Sequence, residues 1–95
     1  MAEYQFSRRA AIDLEAIADY TIEQFGIEQA RDYRDHLKVC FQQLADNPRI
    51  GRPAEQLSAG LRRFEYRSHI IFYQADGSDI LIVRVLHYRF QECNA

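Results

Sequence analysis

The sequence predicts an α+β domain: a short N-terminal strand, an antiparallel helical hairpin and a three-stranded antiparallel C-terminal sheet. Three observations lead there. Two apolar stripes of helical period follow one another with only Gly26 and a few residues between them. From Gly60 the period becomes that of strands, in the stretch GLRRFEYRSHIIFYQADGSDILIVRVLHYR that ends at Arg89. Within it Asp76-Gly77 separates two apolar runs, a strong hairpin signal.

Tyr4-Gln5-Phe6 alternates and is short, as a first strand would be. Ser7 is placed to cap the following helix through its hydroxyl. Arg8 and Arg9 then fall in the first turn, where the helix dipole disfavours cations by a few tenths of a kcal/mol each. They read as two solvated arginines at a small cost, or as a contact with an acidic partner. Ala10, Leu14, Ile17, Ala18 and Phe25 share one helix face, with Asp13, Glu15, Asp19 and Glu23 away from its centre. Gly26 ends the helix as a left-handed cap.

The second helix carries Ala30, Tyr33, Leu37, Cys40, Phe41 and Leu44 at spacings of three and four, and stops at Asn47-Pro48. So short a link makes the pair an antiparallel hairpin. Ile12 and Tyr20 on the first helix and Val39 on the second miss these stripes. Singly, exposed apolar residues need no explanation; together they are candidates for a groove that takes a partner segment.

Residues 47–59 form a loop with two prolines, Gly51, Arg49 and Arg52. In the next strand Arg62, Phe64 and Tyr66 face one way, and Leu61, Arg63 and Glu65 the other. His69 to Ala75 is the second strand of the sheet, bounded by Arg67-Ser68 and by the turn Asp76-Gly77-Ser78-Asp79. Ile80 to Leu86 is apolar on both faces apart from Arg84, as expected of a central strand.

Ninety-five residues make one domain, 1–95, with a single core. The chain is 47% apolar and 27% charged, which places it among ordinary globular proteins. No apolar run approaches the roughly 18–20 residues that span a bilayer, and MAEYQFSRRA lacks the apolar core of a signal peptide. The expectation is a cytoplasmic protein with no membrane association. Two cysteines are too few for a disulfide framework, and no Cys or His pair has short ligand spacing, so neither a zinc site nor a cofactor is expected. Cys40 reads as a small core residue, and Cys93 as an exposed thiol in the tail.

The net charge of −2 conceals an asymmetry. Residues 1–46 carry five basic and nine acidic side chains, whereas residues 47–95 carry seven and five. With so little net charge, no direct nucleic-acid binding is expected.

Arg84 interrupts an otherwise apolar strand, and a guanidinium there needs a partner. Two roles stand open: a salt bridge across the sheet, with Glu65 as candidate, or a concave basic patch with Arg62 or Arg67. His87, Tyr88 and Arg89 follow directly, residue types that an RNA-cleaving site uses to move protons and stabilise phosphate charge. Strict alternation, however, puts His87 and Arg89 on the face opposite Arg84 and Tyr88. No phosphate-binding glycine loop, nucleophile elbow, paired-carboxylate motif or metal-ligand motif is present.

The assembled pattern resembles the ParE branch of the RelE/ParE toxin superfamily. The segments that carry it are FSRRAAIDLEAIADYTIEQFG (6–26), QARDYRDHL (29–37), LADNPRIGRP (44–53), GLRRF (60–64), SHIIFY (68–73) and ILIVRVLHYR (80–89). Arg84, His87 and Arg89 match the terminal V-R-V-L-H-x-R of the family. Family members often carry proline where this chain has Arg8, and Met-Asp where it has Phe90-Gln91.

The resemblance implies a non-enzymatic toxin of a type II toxin–antitoxin module that inhibits DNA gyrase. It further implies neutralisation by a ParD-like antitoxin in a heterotetramer or larger assembly. With Arg84, His87 and Arg89 on that motif, the candidate target- or partner-binding set is Arg62, Arg67, Arg84, His87, Tyr88 and Arg89, and the exposed apolar Ile12, Tyr20 and Val39 are the candidate antitoxin contacts. The alternatives are a RelE-like ribosome-dependent mRNA endonuclease and a non-toxic relic that only binds antitoxin. The absence of lysine from residues 47–95 weighs against the nuclease.

Overall fold

A computed structural model describes residues 2–87, in the order β1 (Tyr4–Phe6), α1 (Arg8–Phe25), α2 (Ile27–Asp46), a 3-10 turn (Pro48–Ile50), β2 (Arg52–Pro53), β3 (Leu61–Tyr66), β4 (His69–Asp76) and β5 (Asp79–His87). Tyr88, Arg89 and Cys93 lie outside the described residues.

The helical hairpin and the antiparallel β3–β4–β5 meander are as the sequence predicts. The sheet itself is larger and mixed. It has five strands in the order β1-β5-β4-β3-β2, with β1 parallel to β5 through Tyr4↔Ile80, Gln5↔Leu81 and Phe6↔Ile82. A three-residue strand cannot announce its partner 76 positions away, so the sequence pattern revealed the strand and not its pairing. The two-residue β2 lies inside the expected loop and pairs with Arg62 and Arg63 at the sheet edge, where Pro53 withholds no needed donor.

Helix α1 starts where Ser7 stops pairing. The Ser7 amide donates to the Ile82 carbonyl at 2.9 Å, its Oγ donates to the Val83 carbonyl at 2.7 Å, and the same Oγ accepts from the Ala10 amide at 3.0 Å. One side chain thus caps the helix and anchors it to β5. At the other end Gly26 has φ 91° and ψ 167°. The positive φ fits glycine, but the ψ is extended, so this is a one-residue reversal and not the predicted left-handed cap.

The helices cover one face of the sheet. Leu37, Cys40, Phe41 and Leu44 of α2 and Ala10 of α1 bury against Ile71, Tyr73, Ile80, Ile82 and Val85. On the other face Leu61, Ile70 and Phe72 bury under Ala54 from the loop, which donates its amide to the Leu61 carbonyl. Phe25, predicted for the core stripe, is 65% exposed instead.

Candidate functional site

Four places in this fold hold the residues singled out by the sequence. The first is Arg84. A register shift at Val83 leaves Tyr73 opposite Ile82 and Phe72 opposite Arg84. This bulge breaks the strict alternation expected along β5. Beyond Ile82, β1 has already turned into α1, and the Asp13 carboxylate takes over as edge partner. Oδ2 accepts from Arg84 Nε at 2.8 Å and from the Val85 amide at 3.0 Å, while Oδ1 accepts from Arg84 Nη2 at 3.1 Å. The hydrogen bond to Asp13 raises the Arg84 pKa further above its ordinary value.

Of the two roles left open for Arg84, the salt bridge is the one formed, but not with the candidate Glu65. Glu65 pairs with Arg63 on the same strand, and Asp13, which the helical pattern put away from the buried face, is the true partner. Asp13 lies one turn into a helix whose first turn contains no acid, and that was the available signal.

The second is Arg62, whose Nη1 donates to the Gly51 carbonyl at 2.6 Å. Tyr73 completes this latch: its hydroxyl accepts from the Gly51 amide at 2.9 Å and donates to the Pro48 carbonyl at 2.7 Å. A Cβ at residue 51 would sit 2.8 Å from the Arg63 carbonyl oxygen and overlap the Tyr73 hydroxyl, so glycine is required there by space. Arg62 and Arg84 therefore serve separate structural contacts, and the alternative of a basic patch combining Arg84 with Arg62 or Arg67 does not assemble.

The third is a ring cluster where β3, β4 and β5 meet α2. Ring centroids run Tyr66–Tyr33 at 6.1 Å, Tyr33–His69 at 5.5 Å and His69–His87 at 5.4 Å. The Tyr33 hydroxyl hydrogen-bonds His69 Nδ1 at 2.5 Å. The Arg67 guanidinium lies 5.8 Å from the Tyr33 ring centre and 5.4 Å from that of Tyr66. Arg67 occupies φ 53°, a left-handed conformation set by the two-residue turn between Tyr66 and His69. Burial, then the neighbouring His87, push the His69 pKa down to about 4, and burial first, then Tyr66, push Tyr33 up to about 12. Both groups are neutral across the physiological range. Of the predicted sheet residues among those described, Arg67 and His87 come together in this cluster, and Arg62 and Arg84 do not.

The fourth is a groove of about 300 Å³ between α1 and α2, lined by Phe6, Leu14, Ile17, Ala18, Tyr33, Leu37 and Phe41, with Glu15, Arg34 and Lys38 as its charged members. Ile12, Tyr20 and Val39 are 56%, 58% and 59% exposed, but none of them lines it. The groove is made instead from residues of the predicted core stripes. Helix α2 buries its stripe in the sheet, whereas Leu14 and Ile17 of α1 are only half-covered and Ala18 is exposed. Phe6, 41% exposed and edge-on to Phe41 at 5.4 Å, closes one end.

Among the described residues no helix is long and apolar enough to cross a membrane, and no group of three potential metal ligands occurs.

Residues 4–91 match the family described as the ParE toxin of the type II toxin–antitoxin system parDE. Toxin ParE1 of Caulobacter vibrioides is 42% identical over 87 residues, spanning 92% of this chain and 90% of its own. Toxin ParE1 of Mycobacterium tuberculosis is 37% identical over 89 residues, spanning 93% and 91%. A solved chain of the chromosomal ParDE toxin–antitoxin system from P. aeruginosa shares the fold, with a TM-score of 0.76 over 92% of this chain and 96% of that one, at 22% identity.

Proposed function

The chain belongs to the ParE toxin family of type II toxin–antitoxin systems, and from that premise we propose that it inhibits DNA gyrase by protein–protein contact and is neutralised by a ParD-like antitoxin. The family acts through non-enzymatic inhibition. The observation that supports antitoxin capture here is the open apolar groove between α1 and α2. An amphipathic antitoxin segment would lay its apolar side along Leu14, Ile17 and Ala18 and its acidic side toward Arg34 and Lys38. Ile12, Tyr20 and Val39 would extend that contact over the outer helix surfaces. Arg67 and His87 of the ring cluster, together with Tyr88 and Arg89, are the proposed gyrase-facing group. The complex would be a cytoplasmic heterotetramer or larger, with this domain spanning 1–95.

The test is negative supercoiling by purified gyrase. Inhibition by the toxin and its relief by stoichiometric antitoxin are expected. Unchanged supercoiling at toxin excess, or codon-phased mRNA cleavage by primer extension, would overturn the reading.

A further inference from the structure

Arg67 is held at both its backbone and its side chain. Among the described residues it is the one non-glycine with a positive φ, at 53°. It stands in the tight turn that joins β3 to β4, with Tyr66 paired to His69 across it. Glycine, asparagine or aspartate is the usual choice at such a position, and a long side chain there costs stability. Conformations of this kind gather at functional sites, where the surrounding structure holds them in place.

The guanidinium is fixed by two rings. Its carbon lies 5.8 Å from the Tyr33 ring centre and 5.4 Å from that of Tyr66, and Tyr33 is itself held by its hydrogen bond to His69. Contact with ring faces engages the charge without using the N–H donors. The ion pairs among the described residues are Arg34–Asp35, Arg63–Glu65 and Arg84–Asp13, so Arg67 meets no carboxylate there. It is also exposed.

We propose that Arg67 is a pre-organised anchor that receives a carboxylate of the target protein, with Tyr33 and Tyr66 as its floor. A side chain held before encounter loses little conformational freedom on binding. The paired N–H donors of a guanidinium match a carboxylate, and arginine and tyrosine are the residue types that dominate interface energies. One cation on a domain of net charge −2 offers little to a row of phosphates, so the chemistry fits a protein and not a nucleic-acid backbone. Arg67 does not line the groove between α1 and α2, and the contact is therefore assigned to the target and not to the antitoxin. The assignment rests on the gyrase reading and names, within it, the anchoring residue and the group it takes.

The experiment compares variants in the gyrase supercoiling assay, with urea midpoints and affinity for the labelled antitoxin peptide measured on the same preparations. Arg67→Gly should raise the toxin concentration for half-inhibition at least tenfold. Its urea midpoint should stay or rise, because glycine accepts φ 53° more readily than arginine. Arg67→Lys keeps the charge without the planar fork and should fall between the two. Tyr66→Leu removes one ring from beneath the guanidinium and should weaken inhibition roughly two- to fivefold. Arg52→Gln, at an exposed arginine on β2 outside the cluster, should inhibit as the parent does. Parent-like inhibition by Arg67→Gly, a marked fall in its urea midpoint, or weakened antitoxin binding with inhibition intact would overturn the proposal and leave the gyrase reading standing. No inhibition by the parent would overturn both.

Discussion

Asp13 does the work of a strand as well as that of an ion-pair partner, which makes it more costly to remove than Arg84. Arg84→Ala takes two hydrogen bonds from a partly exposed pair and leaves Asp13 holding the Val85 amide. A loss of about 1–2 kcal/mol is expected. Asp13→Ala strands both the guanidinium and that amide and should cost about 2–3 kcal/mol. Urea unfolding measures the difference, and faster hydrogen exchange at Val85 in Asp13→Ala alone would identify its cause. His69 adds a pH dependence. Its folded pKa of about 4 lies below the ordinary imidazole value of 6.5, so the unfolded chain binds the extra proton. Stability is therefore complete above about pH 6.5 and falls as pH drops toward 4. Discounted for partial exposure, the expected loss is about 1–2 kcal/mol. His69→Gln should flatten that slope in urea midpoints measured between pH 7.5 and 4.

The elements differ in how legible they were. The hairpin was plain because α2 keeps its apolar spacing over its whole length and a single glycine separates it from α1. The β4–β5 hairpin was equally plain, although its two-residue loop is Gly77-Ser78, with Gly77 at φ 66° and Asp76 still paired with Asp79. The groove was hidden for a physical reason: periodicity reports which residues share a face, not how much of that face the sheet covers. Leu14 and Ile17 satisfy the core pattern and still line an opening. The bulge at Val83 was hidden because an apolar residue at every position erases the alternation that would mark it. If the groove takes the antitoxin, Ala18→Asp is the informative change. Ala18 is exposed, so an aspartate there should alter stability by no more than about 0.5 kcal/mol. A charge set among apolar contacts should nevertheless weaken antitoxin binding at least tenfold, about 1.4 kcal/mol. Tyr20→Ala, outside the groove, should weaken it less. Anisotropy with the labelled C-terminal peptide of the antitoxin gives both affinities, and equal affinities for Ala18→Asp and the parent would place the contact elsewhere.

At the scale of the molecule, the two ends of the described chain hold each other. The Glu3 carbonyl accepts from the Ile80 amide at 3.1 Å and its amide donates to Asp79 Oδ1 at 3.0 Å, while the rings of Tyr4 and Phe6 pack tilted and edge-on against Phe41 at 5.5 and 5.4 Å. The first strand therefore completes the sheet, supplies part of the core and ends in the serine that launches α1. Such a non-local closure forms late and carries a large loop entropy, which slows folding relative to the local hairpins. Deleting residues 2–6 should leave β5 with an open edge and Phe41 without two aromatic neighbours. The expected cost is about 3 kcal/mol or more, a large fraction of the stability of so small a domain. Amide exchange at Ile80, whose proton is held by β1 and not by β4, should rise toward the unprotected rate in that variant. Exchange at core amides of the β3–β4 ladder should rise only by the global loss of stability. If Ile80 stays protected after the deletion, another segment must have taken the place of β1, and the parallel pairing would not be what closes the fold.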